Sequence, residues 1–349
     1  MSIYNSKTYI ADLEMSAQNT VKIEKLKGKR ILVTGATGTI GSFIVDLLLR
    51  YNQTDDADIT VYASGRSEKR LSDRFDRIKN EKLVFVEHDV LNPIAFDFSV
   101  DFIIHAGGNA HPVAFNNDPV GTIIGNISGT YELLEYGRTH GTERFLYISS
   151  GEVYGQGHMS LDSFEENYSG YIDSTSPRSC YPASKRAAET LCSSYSKQYG
   201  LETVIVRPCH TYGPGITASD SRANAQFIRN VLNGEDIVMK SAGTQMRSYC
   251  YIADCASIIL TVLINGQSGE AYNSANDNSR ITIAGLAKVI AKATGRKVIF
   301  ADPSVVDIAN RTPIAKQVLS SKKVEALGWR GRYDIESGIF NTLAILEGK

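Results

Sequence analysis

Residues 30–41 read RILVTGATGTIG, and this stretch decides the fold. The first five residues form an apolar run of strand length. They lead directly into Gly35, Gly38 and Gly41, and residues 40–50 then place apolar side chains at helical spacing. A strand, a glycine turn and a helix in direct succession form an arrangement that receives a dinucleotide. The glycines permit a tight turn, let backbone amides approach a pyrophosphate and allow the helix to pack close to the strand. The helix N-terminus adds partial positive charge for the phosphates. Gly35, Thr37, Gly38, Thr39, Ile40 and Gly41 are therefore the expected cofactor-binding residues of this turn.

Outward from it the alternation continues. Residues 59–63 (ITVYA), 83–87 (LVFVE), 102–105 (FIIH), 145–149 (FLYIS) and 203–207 (TVIVR) read as further buried strands. Helical patterns fall between most of them, notably over 120–140 and 181–199. Strands that are apolar throughout, alternating with helices, predict an α/β protein with a doubly wound parallel sheet. Residues 1–28 are polar and irregular, an extension ahead of the first strand. Residues 29–213 are expected to form mainly the dinucleotide-binding domain. Pro214, Gly215 and a polar stretch to Arg222 then leave the sheet, and residues 214–349 form mainly a smaller, partly interleaved substrate lobe.

The bulk composition excludes several classes. With 349 residues, 42% hydrophobic and 21% charged, the chain can bury a full core. A formal net charge of −1 offers nothing to recruit nucleic acid or an acidic membrane surface. No apolar run reaches the roughly 18 residues of a membrane span, and MSIYNSKTYIADLE lacks the basic and apolar regions of a secretory signal. Five cysteines without CxxC or His-paired spacing read as free thiols in a reducing cytoplasm, with no metal site.

Two constellations carry chemistry. Tyr181 and Lys185 stand four residues apart, on one face of a helix. An ammonium beside the phenol, with a positive nicotinamide, is expected to lower the tyrosine's pKa, so that it takes a proton from a sugar hydroxyl while hydride leaves. A bare YxxxK is common on surface helices; its place downstream of a strand ending in Ser149-Ser150 favours the catalytic reading. Ser150 can hydrogen-bond the reacting hydroxyl. Glu152, at the same strand end, is either a solvated loop carboxylate or a base for a carbon acidified by a ketone. The second strand runs into Ser64-Gly65-Arg66 without the acid that usually takes the adenosine ribose. Arg66 is an exposed turn residue or a 2′-phosphate contact, which leans the cofactor towards NADP. Asp89 can meet the adenine.

Taken together, the GxxGxxG turn, YxxxK, His105-Ala106, Asn126 in NISGT, Arg207-Pro208 before Tyr212-Gly213-Pro214-Gly215, the GTQMRSY block (243–249) and KKVEALGW (322–329) resemble extended short-chain dehydrogenases of the NAD-dependent epimerase/dehydratase family. The resemblance covers roughly residues 29–340. It is nearest to UDP-glucuronate decarboxylases and nucleotide-sugar 4,6-dehydratases. It implies a Rossmann fold and NAD(P) retained through turnover. It adds Val90, Ala106, Gly107, Asn126 and Pro208 to the cofactor site, and implies a nucleotide-sugar substrate, a UDP-sugar first. Ser150 and Glu152 then act beside Tyr181 and Lys185, with Arg222, Arg247 and Arg311 near the sugar and diphosphate. It further implies a homodimer built from the helices at 120–140 and 181–199.

Three positions depart from the pattern. Gly151 stands where many 4,6-dehydratases carry an aspartate, His210 stands where an asparagine is usual, and the acid after the second strand is missing. The expected function is therefore a nucleotide-sugar dehydratase, decarboxylase or epimerase working through a 4-keto intermediate. Its rivals are an NADPH-dependent 4-keto reductase and a non-catalytic NAD(P)-binding regulator.

Overall fold

The computed structural model describes residues 3–75, 78, 80–108, 110, 112–158, 160–217, 220–303, 314 and 316–348. In chain order the first half carries α1 (Lys7–Asn19), β1 (Arg30–Thr34), α2 (Thr39–Asp55), β2 (Thr60–Gly65), α3 (Glu68–Phe75), β3 (Leu83–Glu87), β4 (Phe102–His105), α4 (Pro112–Asn117), α5 (Pro119–Thr139), β5 (Arg144–Ile148) and α6 (Cys180–Tyr199). The second half carries β6 (Glu202–Pro208), β7 (His210–Tyr212), α7 (Ala223–Leu232), β8 (Ile237–Met239), β9 (Met246–Tyr251), α8 (Ile252–Asn265), β10 (Ala271–Ser274), β11 (Arg280–Thr282), α9 (Ile283–Thr294), β12 (Val298–Phe300), β13 (Lys316–Gln317), α10 (Lys322–Glu325) and α11 (Ile335–Glu347).

Seven described strands form a parallel sheet in the order β10-β6-β5-β4-β1-β2-β3. The chain winds outward from β1 through β2 to β3, then returns to β4 on the other side of β1 and winds the opposite way. The reversal between β1 and β4 opens a crevice at their C-terminal ends, where such sheets bind ligands. The alternation of side chains across the pleat explains why the strands read as apolar throughout. Ile31, Val33 and Ile104 pack into one buried cluster with Ile44 and Leu47 of α2 and Ile258 of α8. Leu32, Ile103 and Phe145 face the other way, into a second cluster with Leu133 and Leu134 of α5 and Cys192 of α6. Both faces are covered, so neither can carry polar residues.

β10 comes from the part of the sequence expected to form the substrate lobe, yet it pairs with β6, Ala271 opposite Ile205 and Ser274 opposite Pro208. β10 therefore belongs to the central sheet although five described elements separate it from β6 in the chain order. The remaining strands make a small second sheet, with β9 paired to β7, β11 and β13, and a two-stranded β8–β12 ribbon.

Residues 3–28 are more ordered than their polar composition suggests. Ser6 caps α1 by accepting the Tyr9 amide at 3.4 Å, and the helix buries Tyr9, Asp12, Leu13, Ser16, Ala17 and Asn19. Half of that face is polar, and each polar group has a distant partner. The Tyr9 hydroxyl donates to Asp46 at 2.5 Å, Asp12 accepts from Tyr251, Tyr333 and Asn341, and Ser16 donates to the Ala253 carbonyl at 2.7 Å. The helix thereby fastens α2 to α8 and α11.

Candidate active site

A cleft of about 450 Å³ opens at the crevice beside β1 and β4, a size typical of small-ligand sites. Its cofactor part is shaped by glycines. Gly35 has φ +64°, and a Cβ there would lie 2.6 Å from the Ala106 carbonyl oxygen. A Cβ on Gly41 would lie 2.4 Å from the Gly35 carbonyl oxygen. Only glycine fits at either position. Gly38 caps α2 without a side chain, so the first amides of that helix face the cleft with no internal acceptor. A dinucleotide pyrophosphate supplies the missing acceptors. Thr34 braces the opposite wall: its hydroxyl is 2.8 Å from His105 Nδ1 and accepts the Gly107 amide at 3.1 Å. The residues present therefore fit a dinucleotide.

All cofactor residues expected from the sequence line this one cleft: Gly35, Thr37, Gly38, Thr39, Ile40, Gly41, Arg66, Asp89, Val90, Ala106, Gly107, Asn126, Tyr181, Lys185 and Pro208. Asn126 donates to Ser184 at 3.0 Å, and its Oδ1 is buried without a partner among the described residues. Ser150, Glu152, His210 and Arg222 line the cleft too. Arg247 does not. It is 2% exposed, lies behind the wall and donates to the carbonyls of Met246 and Ile314 at 2.9 and 2.5 Å. Arg311 lies outside the described residues.

Lys185 donates to the Ile148 carbonyl at 2.8 Å, and its ammonium sits 4.6 Å from the Tyr147 ring centroid and 5.8 Å from that of Tyr181. Burial pushes the Tyr181 phenol up to about 12, and the Glu152 carboxylate adds to the rise; a hydrogen bond from Ser150 and the cations Arg222 and Arg178 oppose it. Burial also brings Lys185 down to about 8, against the pull of Glu189. Among the protein's own groups burial is the largest influence on the phenol; the positive charge of a bound nicotinamide would act in the opposite direction, favouring the phenolate.

Three residues not singled out by the sequence belong to the site. Arg178 comes from the 3-10 turn Pro177–Ser179 just before α6. One of its nitrogens lies 3.1 and 3.2 Å from the two Glu152 oxygens, and its guanidinium covers Phe115 at 4.5 Å. Phe115 in turn stacks on Tyr181, centroids 5.0 Å apart and 12° between planes. Gln317 of β13 and Arg70 of α3 also line the cleft. Arg178 stands just before the YxxxK tyrosine and was within reach of the sequence; Gln317 and Arg70 carry no motif.

Behind the cleft, Glu189 accepts from Ser149 at 2.5 Å and from Arg207 at 2.9 and 2.7 Å. Arg222 is clamped by Asp220 through contacts of 3.0, 3.1 and 2.6 Å. His210 sits by Arg222 and Arg247; burial and those two cations bring its pKa down to about 3. It is a neutral imidazole at physiological pH.

A profile of the NAD dependent epimerase/dehydratase family matches residues 31–275. UDP-glucuronic acid decarboxylase 6 of Arabidopsis thaliana is 31% identical over 312 residues, covering 89% of this chain and 86% of its own length. Among solved structures, a dTDP-glucose 4,6-dehydratase from Streptomyces venezuelae with NAD bound superposes with a TM-score of 0.77 at 25% identity, covering 92% of this chain and 97% of its own. A UDP-glucose 4-epimerase from Thermus thermophilus in complex with NAD gives 0.74 at 25% identity, covering 91% and 99%. The chain belongs to the NAD-dependent epimerase/dehydratase family of nucleotide-sugar enzymes.

Proposed function

We propose that the protein converts a UDP-linked hexuronic acid through a 4-keto sugar, with decarboxylation as the outcome. The observation that carries this reading is the meeting of Ser150, Gly151, Glu152, Tyr181 and Lys185 in the cleft that holds the glycine turn. A bound nicotinamide supplies the acceptor for the C4 hydride and the donor that later returns it. Tyr181 takes the O4 proton while Ser150 holds the same oxygen. The C4 ketone then accepts the electron pair of the breaking C5–C6 bond as CO2 leaves, and Glu152 manages the proton that C5 regains. Tyr181 finally returns its proton to O4.

Dehydration is disfavoured because Gly151 offers no acid to the departing hydroxyl. Space there is also short: a Cβ on Gly151 would meet Leu319 Cδ1 at 3.1 Å and the Pro208 carbonyl at 3.3 Å. The relatives named as UDP-glucuronic acid decarboxylases support the same choice. His210, Arg222 and the carboxyl-terminal Arg311 are assigned to the nucleotide diphosphate, with Arg247 holding the wall behind them.

Arg66 and Arg70 are exposed side chains that both line the cleft. They support a 2′-phosphate and so NADP(H). The same pair favours a second reading, an NADPH-dependent reductase of a 4-keto nucleotide-sugar. Val120, Ile124 and Tyr131 of α5 and Tyr199 of α6 are exposed, which supports a homodimer through these helices. No described helix is long and apolar enough to cross a membrane; with five free buried thiols, we assign the enzyme to the cytoplasm.

The test is incubation with UDP-glucuronate, UDP-N-acetylglucosamine, dTDP-glucose, GDP-mannose and CDP-glucose without added reductant, followed by mass spectrometry and proton NMR. A product of UDP-glucuronate lacking CO2 is expected. Turnover only with NADPH and a 4-keto sugar, consuming one cofactor per product, would move the assignment to the reductase.

A further inference from the structure

Gln317 is 5% exposed and lines the cleft. Its side-chain amide opens onto that cleft and is not among the polar groups sealed from solvent without a partner. A side-chain amide that opens unengaged onto a cleft offers its N–H donors to whatever ligand enters there. Its surroundings say which part of a ligand it meets. The Nε2 atom lies 3.5 Å from where a Cβ on Gly151 would stand, which puts it beside the segment carrying Ser150 and Glu152. β13 pairs with β9 so that Gln317 is in register with Arg247.

The charge around this spot favours an anion. Glu152 is already paired with Arg178, Asp220 with Arg222, and Arg247 adds a buried cation close enough to His210 and Glu152 to act on or be acted on by both. The amide itself supplies two N–H donors and no dissociable proton. It can hold a carboxylate oxygen but cannot protonate a leaving hydroxyl.

We infer that Gln317 is a specificity-determining residue whose side-chain amide binds the carboxylate on C5 of a hexuronic acid substrate. The inference rests on the nucleotide-sugar reading above. Glycine at position 151 places no side chain against that amide, where a Cβ would stand 3.5 Å from its nitrogen.

The test is equilibrium binding by calorimetry to cofactor-loaded protein carrying Tyr181→Phe, which prevents turnover. UDP, UDP-glucose and UDP-glucuronate are compared in that parent and in the added variants Gln317→Leu and Gln317→Glu. Loss of a hydrogen bond to a charged group predicts about a tenfold or greater weakening of UDP-glucuronate with Gln317→Leu, and a larger one with Gln317→Glu through like-charge repulsion. UDP is expected to bind the variants as it binds the parent, and UDP-glucose to change by less than about threefold. Unchanged UDP-glucuronate affinity, or equal loss for all three ligands, overturns the assignment. A parent that binds UDP but not UDP-glucuronate refutes the carboxylate specificity alone; a parent that binds none of the three refutes the nucleotide-sugar reading itself. Thermal melts and NAD(P) binding identify any variant that has misfolded, in which case Gln317→Asn, which keeps the amide but shortens its reach, replaces it and is expected to give an intermediate loss.

Discussion

Replacing Glu189 should unsettle the site from behind. Its carboxylate accepts three hydrogen bonds, from Ser149 at 2.5 Å and from Arg207 at 2.9 and 2.7 Å. The side chains of Arg207 and Glu189 are only 13% and 9% exposed, so solvent screens the pair little. Removing one partner of such a pair strands the other charge, a loss of about 3–5 kcal/mol. Arg207 keeps Tyr154 and the Glu166 carbonyl as partners at 3.1 and 2.8 Å, which places Glu189→Ala towards the lower end, about 3 kcal/mol. Glu189→Gln retains an acceptor and should lose about half as much. Urea unfolding at neutral pH measures both. A second arm reads the chemistry. Glu189 holds the Lys185 pKa up against burial, so its neutralisation lowers that pKa below about 8. If the rate needs the ammonium, its fall with rising pH then begins at lower pH in Glu189→Gln. A stability loss under about 1 kcal/mol for Glu189→Ala, with an unmoved pH–rate profile, would refute the claim that this buried pair supports the catalytic strand end.

Three further expectations can be checked separately. Gly41→Ala forces a Cβ to 2.4 Å from a backbone carbonyl, so NAD(P) binding followed by fluorescence or calorimetry should be lost while the protein still melts cooperatively. Arg178→Gln removes a cation that lowers the Tyr181 pKa and leaves Glu152, which raises it, unneutralised; the ascending limb of the pH–kcat profile should move to higher pH, with kcat near neutrality down roughly tenfold for each pH unit the limb moves, and an unmoved limb would remove Arg178 from the mechanism. His210 has a folded pKa of about 3 against an ordinary 6.5, so below pH 6.5 the unfolded chain binds a proton the native state refuses. Stability therefore falls as pH drops from 6.5 towards 3, at roughly 1.4 kcal/mol per pH unit for this one group. His210→Asn should flatten that slope in urea titrations at successive pH values, leaving the similar contribution of His105.

How much of this was legible depended on whether the signal was local. β1, β3 and β4 begin and end where the apolar runs do, because strands buried on both faces cannot include polar residues without cost. The helices over 119–139 and 180–199 likewise follow their periodicity. β10 was missed as part of the central sheet: four residues, AYNS, carry too little pattern, and only pairing with β6 makes them a strand. α1 was read as irregular because its buried face includes Asp12, Ser16 and Asn19, whose partners lie more than two hundred residues away in sequence. In the site, the glycine turn and Tyr181–Lys185 are short-range motifs and were visible. Gln317 was not, since its meaning comes entirely from the pairing of β13 with β9 beside Gly151. Arg247 is buried close to His210 and Glu152 but does not line the cleft, a distinction that sequence order does not carry.

The polar face of α1 carries a mechanical consequence. A purely greasy helix can slide or roll on its bed at small cost, but Asp12, Ser16 and Asn19 are each matched to partners fixed elsewhere in the fold, and a displacement of one turn would leave buried charges and amides unanswered. The helix is a keyed rivet through α2, α8 and α11, joining the layer that begins at the glycine turn to the layer that follows β9. The two layers are thereby held in one register with each other by side chains that answer only in that register.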